Sequence, residues 1–208
     1  MFSPVELDLE RGWPGRIDGD RVIQLAAQTL QSYFTGGGGA REHAEYPLAG
    51  VVLRAPVLHP SSVRIFGPGN ADFRFANPAA IVGPGDVVRL PEGVDEIVPV
   101  PRVAAVIGAG GEVGGYTLMI DWLAPSLAGA KAHDFAISLG PIVVTPDEAG
   151  TLISPGTVEL AAQNTRLVPG DVIATGEIER ERHPVAEGAT VEYTHRRLFG
   201  TLQNTVSR

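Results

Sequence analysis

Eight short apolar runs, most of them closed by Gly or Pro, limit what this 208-residue chain can become. They are Val51 to Leu53, Val63 to Phe66, Val87 to Leu90, Val103 to Ile107, Leu118 to Ile120, Ile142 to Val144, Val172 to Ala174 and Val191 to Thr194. Runs this short, rich in β-branched residues and bounded by turn formers, suit strands. The 26 Gly and 17 Pro favour turns over a helical bundle. Periodic helices between the runs are scarce, which argues against a doubly wound α/β sheet. The expectation is an α+β chain, mostly β, with few short helices. Pro99 and Pro101 alternate just before a strand, as at an edge or entry segment, because proline cannot donate to a ladder.

Residues 1–50 read differently: an arm, a helix and a Gly-rich linker ahead of a β-rich domain over 51–208. Residues 3–14 form a strand or arm leading to Trp13-Pro14. Asp18-Gly19 is a turn signal, and Asp20 then caps a helix carrying Val22, Leu25, Ala26, Leu30 and Tyr33 at helical spacing. Gly36-Gly37-Gly38-Gly39 stops it. That tract lacks a phosphate loop's Gly-Lys-Ser/Thr ending and a preceding strand, so it reads as a flexible linker.

Composition excludes several functions. A net charge of −8 and a pI near 5.1 disfavour nucleic-acid binding. There is no cysteine for disulfides or thiolate sites, and this fits a reducing, cytoplasmic setting. The sequence shows no signal peptide and no apolar run long enough to span a bilayer. A small-molecule partner is left as the expectation, with neither nucleic acid nor membrane.

The most informative stretch is Gly115 to Glu148. Tyr116 to Ile120 reads as a strand that Asp121 ends. Lys131 follows ten residues later, with His133 and Asp134 beside it. Ile142 to Val144 follows a Gly140-Pro141 turn. Thr145-Pro146-Asp147-Glu148 reads as a helix start, with Thr145 at the N-cap and Pro146 at N1.

These residues resemble the fumarylacetoacetate hydrolase family, through its Gly-Tyr-Thr-x-x-x-Asp segment and its Lys…Asp-x-Phe-x-x-x-x-Gly-Pro run. Leu53-Arg54-Ala55-Pro56, Phe75-Ala76-Asn77-Pro78, Leu167 to Gly176 and Gly200 to Asn204 extend the resemblance over roughly residues 15–208. It implies a mixed β-roll of the family's C-terminal-domain type, a homodimer, and hydrolase, lyase or isomerase chemistry on a keto acid or β-dicarbonyl. In that family two glutamates of a Glu-x-Glu strand and the Asp matching Asp121 hold Mg²⁺ or Mn²⁺. Here Val100 and Arg102 fall at the two glutamate positions, and neither can ligate a hard cation. The segment from Gly67 to Phe73 also lacks the family's water-activating His and Glu. A third departure is Glu177-Ile178 in place of the family's Thr-Pro.

The expected site therefore carries no metal and no other cofactor, Mg²⁺ or Mn²⁺ entering only if the ligand alignment is wrong. Strand alternation puts Arg102 on the same face as Val100, and the resemblance implies that this face meets Asp121, where the guanidinium would stand in for the cation. Asp121, Lys131 and Arg102 are the candidate catalytic residues. Asn70, Arg74, Thr175, Gly176 and His133 are the candidate substrate contacts. The function expected is a metal-independent, diverged enzyme on a small enolisable keto acid or β-dicarbonyl, performing tautomerisation, decarboxylation or C–C bond chemistry. Two alternatives stand beside it: an inactive paralogue serving as a binding or structural partner, and an ordinary Mg²⁺-dependent hydrolase with misaligned ligands.

Overall fold

The structure, a computed structural model, describes residues 1–177, 183–195 and 198–208. Its N-terminal part holds β1 (Phe2–Pro4), β2 (Gly15–Asp18), β3 (Arg21–Leu25), α1 (Leu30–Thr35) and β4 (Glu42–Pro47). Next come β5 (Val51–Leu53), β6 (Val63–Phe66), β7 (Phe73–Ala76), β8 (Ile81–Val82) and β9 (Val87–Arg89). The long pair β10 (Glu96–Ile107) and β11 (Val113–Leu123) is followed by β12 (Ile137–Val144). Two short helices, α2 (Pro146–Ala149) and α3 (Pro155–Ala162), precede β13 (Val172–Glu177), β14 (Val185–Ala186), β15 (Thr190–Thr194) and β16 (Thr201–Ser207). The chain is thus mostly β with few helices, as the punctuation of the sequence predicts.

The main sheet runs β7-β6-β13-β10-β11-β12-β8, with β14 against the start of β10. Its pairs are antiparallel except β6–β13 and β8–β12, so the sheet is mixed. Both faces are buried. Val103, Ala105, Ile107, Leu118, Ile120 and Trp122 belong to one core cluster. Ala104, Val106, Met119, Ile137, Leu139 and Ala174 belong to a second on the opposite face. Alternate residues serve the two cores, which is why these strands read as continuous apolar runs. The turn between β10 and β11 needs Gly110 and Gly111, at φ 68° and 85°, where other residues would be strained.

Four sequence expectations are corrected here. Asp121 does not end its strand: β11 continues to Leu123, and the carboxylate sits inside the sheet. Gly140-Pro141 is not a turn but lies within β12. The strand β8 reaches only Ile137 and Ser138 of β12, so Pro141 falls where that side has no ladder to interrupt. Pro99 and Pro101 lie inside β10 and not before it. They share the parity of Ile107, whose N–H donates on the β13 side. On that side the described strands pair with Glu96 and Ile97 (β14) and with Arg102 to Val106 (β13), and among the described residues neither proline has a ladder partner there.

The fourth correction is the helix expected from Asp20. Arg21 to Leu25 form β3, hairpinned to β2 through Gly19 at φ 61°. The Asp-Gly turn and the β-branched Val22-Ile23 pair outweigh the helical spacing. The helix α1 starts only at Leu30, capped by Thr29 in a capping box with Ser32. The glycine tract expected as a linker folds back on it, the Gly36 N–H donating to Ser32 O at 3.0 Å. Phe34 of α1 joins the second core and lies over Gly114, where a Cβ would come within 2.7 Å of the ring. Gly114→Ala should therefore cost about 1–3 kcal/mol by overpacking, measured as a lower urea midpoint. An unchanged midpoint would mean that α1 is not seated on β11.

Candidate functional site

Asp121 is 1% exposed on the face of β11 that serves the second core. Its direct partner across the ladder is Val100, and Arg102 stands opposite Met119 on the same face. Arg102 Nη2 lies 3.3 Å from Asp121 Oδ2, and its Nη1 donates to Phe66 O at 3.2 Å. The inward turn of Arg102 expected from strand alternation is what the coordinates show, with the residue 7% exposed. A buried carboxylate needs such compensation, because an isolated charge in the interior is costly.

A second guanidinium comes from far away in the sheet. Arg74 sits on β7, four strand spacings from β11, or about 19 Å if the sheet were flat. That is beyond the reach of an arginine, yet Arg74 Nη2 lies 2.5 Å from Asp121 Oδ1. The sheet must curl, as a β-roll does, to bring its edge over its centre. His133 arrives from the loop between β11 and β12, with Nδ1 3.2 Å from Arg74 Nη2 and 3.6 Å from Asp121 Oδ1. Arg74 and His133 are about one-third exposed, at 32% and 29%, and form the solvent side of the cluster.

Burial is the largest single influence on Asp121 and would raise its pKa; His133, Arg74 and Arg102 outweigh it and hold the carboxyl below its ordinary 3.8. The His133 contribution would need a proton on Nδ1 and a hydrogen bond to Oδ1 that the 3.6 Å separation does not make, so the lowering rests on the two guanidinium charges. Because the folded pKa lies below the unfolded one, ionised Asp121 adds stability that is complete above about pH 4 and is lost as the pH falls further. Between about pH 5 and pH 2 the denaturation midpoint should drop more steeply for the wild type than for Asp121→Asn. Parallel slopes would refute this assignment.

The other candidates separate. Lys131 does not reach Asp121: its Nζ pairs with Asp134 at 2.7 Å and its side chain is 78% exposed. Thr175 lies opposite Val103 and so shares that residue's face, away from Arg102. Gly176 is the extra residue of a register shift in β13, after which Glu177 stands opposite Arg102; Ile178 lies outside the described residues. Asn70 has φ 53° in the turn after β6 and carries a buried Oδ1 with no hydrogen-bond partner. What the sequence did not reveal is a second buried pair, Arg64 Nη1 and Asp171 Oδ2 at 3.7 Å, bridged by Ser62. Its signal was a charge inside the apolar run Val63 to Phe66. Its work is structural, tying β6 to the turn before β13.

The family's divalent cation does not fit this donor set. A hard cation needs several oxygen ligands. Among the described side chains, those around Asp121 are two guanidinium groups, which only donate, and one imidazole. Among the described residues no three His, Cys, Asp or Glu side chains gather in a metal-holding group.

No protein-family model and no curated protein matches the sequence. Solved structures do match the fold. Maleylpyruvate hydrolase from Sphingobium sp. SYK-6, in complex with manganese(II) and pyruvate, superposes with TM-score 0.79 at 22% identity, over 95% of this chain and 97% of that one. For 5-carboxymethyl-2-hydroxymuconate delta-isomerase from Mycobacterium smegmatis the TM-score is 0.73 at 25% identity, over 94% of each chain. A 2-keto-3-deoxy-D-arabinonate dehydratase, complexed with magnesium and 2,5-dioxopentanoate, gives 0.76 at 18% identity over 96% of each. Among the described residues no helix is long and apolar enough to cross a membrane. The chain has the fold of the fumarylacetoacetate hydrolase superfamily.

Proposed function

We propose that this chain is an enzyme on a small enolisable keto acid that works without a divalent cation. Structural neighbours named for hydrolysis, isomerisation and dehydration of small oxo or enol acids support the substrate class. One observation carries the rest: the carboxylate matching the family's metal ligand is neutralised by Arg74 and Arg102. Guanidinium groups orient carboxylates and stabilise an enolate oxygen by charge-assisted hydrogen bonds. They do not generate a metal hydroxide, so decarboxylation, in which CO2 leaves, the enolate oxygen takes up the electron pair and solvent returns the proton, suits the site better than hydrolysis or a tautomerisation that needs a side-chain base. Asp121, held ionised at low pKa, is a poor proton acceptor, and its task is to hold the two arginines in place.

The test is metal analysis of the purified protein with turnover of a keto-acid panel in the presence and absence of a chelator. Chelator-insensitive turnover is the expected result. A stoichiometric divalent ion that disappears in Asp121→Asn would overturn the proposal. A second reading, a binding protein without turnover, is favoured by the surface position of Lys131, the one lysine in the chain. Ligand binding with no turnover anywhere on the panel would select it.

A further inference from the structure

The polar groups of the cluster are unequally used, and this assigns roles to Arg74 and His133 within the proposed site. Arg74 uses Nη2 for both of its contacts. Among the described residues its Nε and Nη1 make no hydrogen bond, and neither is a buried unpaired atom. The same is true of His133 Nε2. Three polar atoms on two one-third-exposed side chains thus reach solvent beside a buried Asp–Arg pair. Among the described acidic side chains nearby, Asp121 lies beneath Arg74 and Asp134 is taken by Lys131.

The 3.2 Å contact then fixes where the imidazole proton sits. A guanidinium carries only donors, so His133 Nδ1 must be the acceptor. Asp121 Oδ1, at 3.6 Å, is beyond hydrogen-bond distance from the same atom. The proton is left on Nε2, the nitrogen that reaches solvent. We propose that Arg74 locks His133 as the neutral Nε2–H tautomer, and that Nε2–H with Arg74 Nε and Nη1 forms a donor edge for a planar oxyanion, the carboxylate–enolate face of a keto acid. His133 is in this role a fixed hydrogen-bond donor and not a base. The inference rests on the keto-acid reading above but assigns its anion site to residues that the resemblance does not supply.

Two measurements test it, and they fail separately. In ¹⁵N-histidine-labelled protein, the His133 signals, assigned by their loss in His133→Gln, should show a protonated Nε2 and an unprotonated Nδ1. In Arg74→Met the proton should move to Nδ1, which can then donate to Asp121. A protonated Nδ1 in the wild type overturns the tautomer lock, even if anions bind. Calorimetry with oxalate, a planar mimic of an enolpyruvate, should show binding that Arg74→Met weakens about 10- to 100-fold. His133→Gln, which keeps a donor near Nε2, should bind more tightly than His133→Asn, which does not. Oxalate affinity indifferent to Arg74→Met overturns the donor edge while leaving keto-acid recognition elsewhere on the chain open. No oxalate binding by the wild type removes both.

Discussion

Arg102→Ala is expected to lower the stability of the folded chain by about 3–5 kcal/mol, the usual consequence of taking one partner from a buried ion pair. Asp121, 1% exposed in the intact chain, would keep Arg74 and His133, which approach from the rim and are themselves 32% and 29% exposed. The loss would be read from chemical denaturation at neutral pH. The control is the pair of substitutions Arg102→Met with Asp121→Leu. Replacing both charges by apolar groups of similar volume should recover most of the loss, because a buried pair gains little over good packing. Arg74, its partner gone, can turn to water. A deficit under about 1 kcal/mol in Arg102→Ala would place its charge among those that surface screening makes unimportant.

The second large effect concerns the cation that relatives hold. Val100 stands directly across from Asp121, and Arg102 is two residues along on the same face. Writing glutamate at both positions would gather three carboxylates on one patch of sheet. Such a set suits Mn²⁺ or Mg²⁺. Val100→Glu with Arg102→Glu should be unstable without metal, since three buried acids repel. Added Mn²⁺ should then raise its melting temperature, because a ligand that binds only the native state stabilises it by about 2.7 kcal/mol at a hundred times its Kd. The wild type should show no such response. If the double variant melts at the same temperature with and without Mn²⁺, the two strands do not retain the family's spacing.

Much of this was legible in the residues themselves. The Gly and Pro punctuation located the described strands of the main sheet except the short β7, β8 and β14; alternation put Arg102 on the face of Val100, and the family resemblance put that face against Asp121. What stayed hidden depends on distances no local pattern encodes. Arg74 and His133 could be named as contacts, but their convergence on Asp121 needs the curl of the whole sheet. Asp121 read as a strand end because an acid inside an apolar strand is rare unless a partner waits for it. Gly140-Pro141 and Pro99-Pro101 read as breaks, yet both lie inside strands. The helix expected from Asp20 failed because Val22 and Leu25 satisfy both periodicities, and tertiary pairing decided between them.

The two arginines at Asp121 differ in permanence. Arg102 belongs to β10, which has neighbours on both sides, whereas Arg74 belongs to a four-residue strand that among the described residues is paired on one side only. Fraying begins at such margins, in openings far smaller than global unfolding. An opening confined to β7 would carry one guanidinium away and leave the other embedded beside Asp121. The interior carboxylate is thus held by one counter-ion built into the middle of the sheet and one borne on its margin.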